Sequence, residues 1–162
     1  MREGDFERLF DEHAQALFAF LCYRTGDRAT AEDLLSETFE RALRARRRFD
    51  RRRGTEKSWL YAIALNLLRD HARSRAAETR ALERVAVGLA SEAVPERLSL
   101  EDRDELLRAL ETLSDEEREA VALHFGADLS IPEMARITGE RSSTIHGRVY
   151  RGLRKLRALV EE

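Results

Sequence analysis

The sequence predicts an all-α chain: two small helical domains joined by a linker, the C-terminal one containing a helix-turn-helix. Three observations carry that reading. The apolar set is 22 Ala and 23 Leu against 6 Val and 4 Ile, so helix formers dominate and strand formers are scarce. Only 8 Gly and 2 Pro interrupt the 162 residues. Apolar residues recur at spacings of three and four near both ends of the chain, and that pattern decays in between.

The first domain is read as residues 1–75. Phe6, Leu9, Phe10, His13, Leu17, Phe20 and Leu21 paint one helix face, and Gly26 with Asp27 ends the helix. A second helix is expected to begin near Thr30, whose hydroxyl can cap it, with Leu35, Phe39, Ala42 and Leu43 as its apolar stripe. The run from Phe49 to Ser58 holds Gly54 among Arg51, Arg52, Arg53 and Lys57 and reads as a loop. A third helix follows, with Trp59, Leu60, Ile63, Ala64, Leu67 and Leu68 on one side. That placement makes Trp59 a core residue rather than a stacking platform.

Residues 76–98 carry Ala, Glu and Arg without a sustained stripe, and Pro95 would interrupt a helix there. They are read as the linker. The second domain, residues 99–162, opens on Ser99 as a cap. Ser114 with Glu117 and Ser130 with Glu133 form capping boxes, Gly126 is a helix stop, and Pro132 sits where a missing N–H costs little.

Composition excludes several classes of protein. Apolar runs such as Leu17 to Tyr23 are far short of the roughly 18 residues a membrane span needs, and the first ten residues have no signal-like apolar core. The chain therefore reads as cytosolic, with no membrane insertion. One cysteine, Cys22, excludes an internal disulfide, and the four histidines have no metal-ligand spacing. His13, His71, His124 and His146 are far apart and the acids fall on polar helix faces, so no catalytic constellation emerges. No cofactor is expected.

The net charge of −2 conceals an alternation. Residues 1–40 are strongly acidic, 41–75 strongly basic, 76–119 acidic and 120–162 mildly basic. Basic zones of this kind can neutralise phosphates, although solvated helix faces give the same pattern.

The segment Ser130 to Leu156 is the most informative. A helix-turn-helix needs a small residue where its helices touch, a glycine at the turn and an apolar residue early in the second helix. Ala135, Gly139 and Ile145 meet those needs. Ser142, Ser143 and Thr144 offer the N-cap of the second helix, and Ile145, Val149, Leu153 and Leu156 form its inward face. Arg141, His146, Arg148, Tyr150, Arg151 and Arg154 are left for other faces, an exterior suited to a major groove and its phosphates. Gly147 falls on the outer side, where a missing Cβ would let the backbone approach DNA.

Read together, the motifs resemble the extracytoplasmic-function sigma factors, the small two-domain class of bacterial transcription initiation factors. AEDLLSETFERAL (Ala31 to Leu43) resembles the helix that docks on the core polymerase clamp. FDRRRGTEKSWLYAIALNLLRDHARSR (Phe49 to Arg75) resembles the promoter-melting segment. RALETLSDEEREAVALHF and LSIPEMARITGERSSTIHGRVYRGLRKL resemble the domain that reads the −35 element.

The resemblance implies core RNA polymerase, promoter DNA and an anti-sigma factor as partners. It implies polymerase docking by Asp33, Glu37, Thr38 and Arg41. Contacts in the melted −10 region would come from Arg51, Arg52, Arg53, Lys57, Asn66, Arg69 and Arg73. Reading of −35 DNA would fall to Arg141, Ser143, Thr144, His146, Gly147, Arg148 and Arg151. The chain departs from the family's pattern at Ser36, Ala62, Leu65, Glu140 and Gly147. A self-sufficient helix-turn-helix regulator remains the alternative; it would bind duplex specifically without polymerase.

Overall fold

The computed structural model describes residues 1–78 and 99–161. Seven α-helices and no strand lie among the described residues. They are α1 (Glu3–Thr25), α2 (Arg28–Ala45), α3 (Glu56–Glu78), α4 (Leu100–Glu111), α5 (Asp115–Val121), α6 (Ile131–Thr138) and α7 (Ser142–Val160). Of the expected linker, residues 76–78 close α3, and 79–98 lie outside the described residues.

Helix α1 stops where the glycine predicts. Gly26 takes the left-handed region at φ 65°, and its N–H reaches the Cys22 carbonyl at 2.9 Å. The cap of α2 differs from the expectation: Asp27, not Thr30, holds it. The Asp27 carboxylate accepts the Thr30 N–H at 3.1 Å and the Thr30 hydroxyl as well, and these bonds keep its pKa below the usual carboxylate range. An acidic cap also suits the positive end of a helix.

The buried stripe of α2 is Ala31, Leu34, Thr38, Phe39 and Ala42, rotated about one position from the stripe expected. Leu35 is only half-buried and Leu43 is exposed. Thr38 can enter the core because its hydroxyl donates to the Leu34 carbonyl at 2.6 Å, leaving no unpaired polar group. On α3 the buried set is Leu60, Tyr61, Ala64, Leu65 and Leu67. Tyr61 packs edge-on against Phe20 with ring centroids 5.6 Å apart. Leu9, Leu17, Leu21, Leu60 and Leu65 are all fully buried. Each contributes about 1.5–3 kcal/mol, against about 0.2–0.5 kcal/mol for a surface pair such as Arg44–Glu40. Apolar burial therefore holds the three-helix bundle.

In the second domain the caps of α4, α5 and α6 fall where expected. Ser99 accepts from Asp102, and reciprocal capping boxes join Ser114 with Glu117 and Ser130 with Glu133. Helix α5 widens into a π-type turn over Ala122–Gly126, where the Ala127 N–H reaches the Ala122 carbonyl at 3.0 Å. His124 Nδ1 sits 2.7 Å from the Leu129 carbonyl oxygen and ties this turn to the start of the helix-turn-helix. Gly139 turns α6 into α7 at φ 74°. Met134 and Ile145 are buried at the junction.

The two domains are not separate bodies. Their buried side chains form one continuous cluster, with α6 packed on α3 and the 122–126 turn against α1. Arg24 of α1 pairs with Glu119 at 3.0 Å.

Candidate functional site

Three surfaces carry the residues singled out from the sequence. On α2, Asp33, Ser36, Glu37, Glu40, Arg41 and Arg44 border a shallow depression of about 400 Å³. Arg41 reaches Glu37 at 2.6 Å and Arg44 reaches Glu40 at 2.5 Å, so the face is a ladder of i,i+4 pairs with Asp33 at one end. Thr38 is the correction here. It is fully buried and cannot belong to an exposed docking face. Glu40 and Arg44 complete the face and were missed, although their spacing from Glu37 and Arg41 was legible.

The second surface is the basic loop and α3. The loop is shorter than the sequence suggested, because Thr55 accepts the Ser58 N–H at 3.1 Å and starts the helix at Glu56. Lys57 therefore lies on the first turn of α3 and not on the loop. Asp50 folds the loop: its carboxylate accepts the Arg52 N–H and its carbonyl the Arg53 N–H, both at 3.0 Å. Arg51 projects with 81% of its side chain exposed, 3.7 Å from Glu56.

Arg52, Arg53, Asn66 and Arg73 are also exposed, Arg69 is half-buried, and Arg73 lies 3.9 Å from Asp70. Beneath the loop is a cavity of about 390 Å³, bordered by Phe49, Trp59, Ala62 and Asn66. Trp59 has two roles in this geometry. It packs on the core and against Phe49 at 5.2 Å, yet it remains half-buried and forms one wall of the cavity.

The third surface is α7. Arg141, Ser143, Thr144, His146, Tyr150, Arg151 and Arg154 are exposed, and Ile145 and Val149 face inward as expected. The cap differs. Arg141 occupies the N-cap position without a side-chain hydrogen bond, and Ser142, Ser143 and Thr144 lie in the first turn. Arg148 is not a free outward cation either: its guanidinium meets Glu140 at 2.7 Å and is only 20% exposed.

Glu117 of α5 anchors the other side of α7. Its carboxylate accepts from Lys155 at 2.7 Å and from the Ser114 N–H at 3.1 Å, and lies 3.6 Å from Arg151. The hydrogen bond from Lys155, the Ser114 backbone and the Arg151 charge together hold its pKa below the ordinary value.

Two glycines on α7 differ. Among the described residues, a Cβ on Gly147 would first meet the far end of the Arg151 side chain, at 3.1 Å. A Cβ on Gly152 would come within 2.6 Å of Val121 Cγ2, so Gly152 is what lets α7 approach α5. From the sequence Glu117 stands out only as the capping partner of Ser114, and Gly152 and Arg136 do not stand out at all without the partner helix. Among the described residues, no three His, Cys, Asp or Glu side chains could hold a metal ion, and no helix is long and apolar enough to cross a membrane.

This arrangement, a three-helix domain with a basic loop followed by a helix-turn-helix domain, is that of a two-region sigma factor. Residues 9–78 match the family model for sigma-70 region 2, and residues 103–156 match that for sigma-70 region 4. The chain is 35% identical to the ECF RNA polymerase sigma factor BldN of Streptomyces coelicolor over 97% of its own length and 61% of that protein's. It is 34% identical to the RNA polymerase sigma factor CarQ of Myxococcus xanthus, covering 97% of this chain and 90% of that one. Among solved structures it is similar to the sigma factor RpoE of Bartonella quintana, determined in complex with the anti-sigma factor NepR. That likeness has a TM-score of 0.81 and 28% identity, over 97% of both chains. The chain belongs to the extracytoplasmic-function sigma factor family, whose members direct promoter-specific transcription initiation by RNA polymerase.

Proposed function

We propose that residues 1–75 dock this chain on core RNA polymerase and open promoter DNA, and that residues 99–162 read the −35 element, with 76–98 as the connection. Docking is assigned to Asp33, Glu37 and Arg41 on the exposed ladder of α2. Thr38, being buried, supports that helix from beneath. Strand opening is assigned to Arg51, Arg52, Arg53, Lys57, Asn66, Arg69 and Arg73, basic and amide groups suited to phosphates and to an unstacked base beside Trp59. Arg141, Ser143, Thr144, His146, Gly147 and Arg151 are assigned to −35 DNA. Arg148 contributes indirectly by holding Glu140 at the turn.

The observation that carries this reading is the outward face of α7, which is basic, hydrogen-bonding and free of acids from Arg141 to Arg157. Such a face meets the requirement of a major-groove helix. An anti-sigma factor is the proposed regulator, as NepR is for the similar RpoE complex. The chain is inferred to act by binding, without catalysis of its own, in the cytoplasm where polymerase and promoter meet. Reconstitution with core polymerase and a promoter library tests the assignment. Polymerase-dependent, promoter-selective initiation is expected; selective duplex binding with no effect on polymerase would replace it with the self-sufficient regulator.

A further inference from the structure

Two acids hold basic side chains of α7, and they are built differently. Glu117 lies beneath the helix with 8% of its side chain exposed, and it also accepts the Ser114 N–H as half of a capping box. Glu140 stands in the turn, one residue before Arg141 at the N-cap. Its side chain is 36% exposed, and its carboxylate accepts from the Arg148 guanidinium at 2.7 Å. The turn closes without that carboxylate. The Gly139 N–H reaches the Ala135 carbonyl at 3.0 Å, and the Thr138 hydroxyl accepts the Glu140 N–H at 3.4 Å.

We propose that Glu140 is an affinity brake on duplex DNA: by holding Arg148 it withdraws one phosphate contact from α7. The inference rests on the DNA-reading assignment of α7 and adds a residue that limits it.

Three observations separate a brake from a simple brace of the turn. First, helix side chains tilt toward the N-terminus, so Arg148, two turns into α7, extends back toward the end that enters the groove. Second, that end suits an anion, because its first N–H groups and the helix dipole are positive, and the Arg141 side chain caps none of those groups. Glu140 supplies a carboxylate to Arg148 at the end of the helix where a DNA phosphate would supply its own oxygens. Third, Arg151 keeps 51% of its side chain exposed beside Glu117, whereas Arg148 against Glu140 keeps 20%. Arginine stays charged at any working pH, so removing the acid leaves a full positive charge seeking an anion.

The test uses the full chain, checked for folding by circular dichroism, as wild type, Glu140→Gln, Glu140→Gln with Arg148→Ala, and Arg151→Ala. The probe is a random-sequence duplex, titrated by fluorescence anisotropy from about 0.05 to 0.3 M salt. One added phosphate contact contributes a slope of about 0.9, which between 1 M and 0.1 M salt is about eightfold in affinity. Glu140→Gln should therefore bind about eightfold more tightly at 0.1 M salt with a slope steeper by about one unit, and adding Arg148→Ala should cancel both gains. Glu140→Ala carries the same expectation and replaces Glu140→Gln if that variant folds poorly.

If the gain survives Arg148→Ala, Glu140 acts through its own charge and not by holding Arg148, and the brake as proposed is overturned. If Glu140→Gln lowers the melting temperature without tightening binding, the acid is a brace and the brake is likewise overturned. If its slope and affinity equal those of wild type, Arg151→Ala says which reading has failed. A slope lowered by Arg151→Ala keeps α7 on the duplex and removes the brake alone; an unchanged slope removes the DNA-reading assignment of α7, and the brake with it.

Discussion

The two proposed DNA-reading surfaces are held in place by different neighbours. Helix α7 is held by polar contacts from within its own domain, by Glu140 on Arg148 and by Glu117 on Lys155 and Arg151. The loop from 49 to 55 is positioned partly from outside, through Arg136 and Glu133 of α6. The difference teaches that α7 draws its polar support from its own domain, whereas the loop, folded locally by Asp50, draws part of its support from the packing of the domains. Variants that loosen α7 should therefore act on the second domain's stability.

The largest effect should come from Gly152. A methyl group there meets Val121 Cγ2 at 2.6 Å, and overpacking of a close helix contact costs about 1–3 kcal/mol. Gly152→Ala should lower the stability of the second domain by that amount in urea unfolding and weaken duplex binding with it. A change under about 0.5 kcal/mol, within the range of ordinary surface substitutions, would show that α5 and α7 are not so closely packed.

Glu117→Gln should cost about 1–2 kcal/mol near neutral pH by weakening the bonds to Lys155 and the Ser114 N–H. The pH dependence has a definite sign. Folding lowers this carboxyl's pKa from its ordinary 4.5, so the folded state favours the ionised form. The resulting stability is complete above the unfolded value and fades as pH falls through the lower folded one. The gap between wild type and Glu117→Gln should thus be widest at neutral pH and close on acidification. A gap constant down to strongly acidic pH would contradict the charged bond.

On α2 the contrast lies between two residues adjacent in sequence. Glu37→Arg should weaken core-polymerase binding about tenfold by placing like charge beside Arg41, a shift of roughly 1.4 kcal/mol. Thr38→Val should leave that binding unchanged and alter stability by under about 1 kcal/mol, since the lost hydroxyl bond is internal to the helix. Pull-down titrations that rank the two variants in the reverse order would remove the docking assignment of this face.

On α7 the two arginines should also part. Arg151→Ala should reduce the salt slope of duplex binding by about one unit, as expected for one lost phosphate contact. Arg148→Ala should change that slope little, because its guanidinium is already engaged by Glu140. Equal slopes for the two variants would place both on phosphate.

What was legible in the sequence was whatever depended on neighbours a few residues away. The caps at Ser99, Ser114 and Ser130 and the stops at Gly26 and Gly139 are local, and local chemistry decides them. The errors lie where distant packing chooses between local options. Leu34 and Leu35 serve an amphipathic stripe equally well until α1 and α3 select one. Asp27 and Thr30 can each cap α2, and the carboxylate takes the helix end while the hydroxyl donates to it. Trp59 fits an apolar stripe, and only the loop folded over it leaves a face open to a cavity. Arg136 was invisible for the same reason: nothing near it in sequence distinguishes an arginine that faces solvent from one that reaches the Arg53 carbonyl.

The smallest effect, and the most discriminating for α7, belongs to Gly147. Alanine in a helix interior is favoured over glycine by about 0.5–1 kcal/mol. Among the described residues, the nearest obstacle to a Cβ here is the Arg151 guanidinium at 3.1 Å, the far end of a flexible side chain that can shift at little cost. Gly147→Ala should therefore raise the thermal stability of the second domain, the opposite sign to Gly152→Ala one and a half turns further on. Its effect on promoter binding should also be opposite to its effect on stability. The new methyl displaces Arg151 from its position over the helix and stands where the backbone would approach the groove, so affinity should fall although the fold is firmer. Thermal melts and duplex titrations on the same preparation separate the two. A variant that is both more stable and fully active in promoter-dependent transcription would mean that the groove is met by the His146 side of α7, the helix being rotated about its axis so that Gly147 makes no close approach.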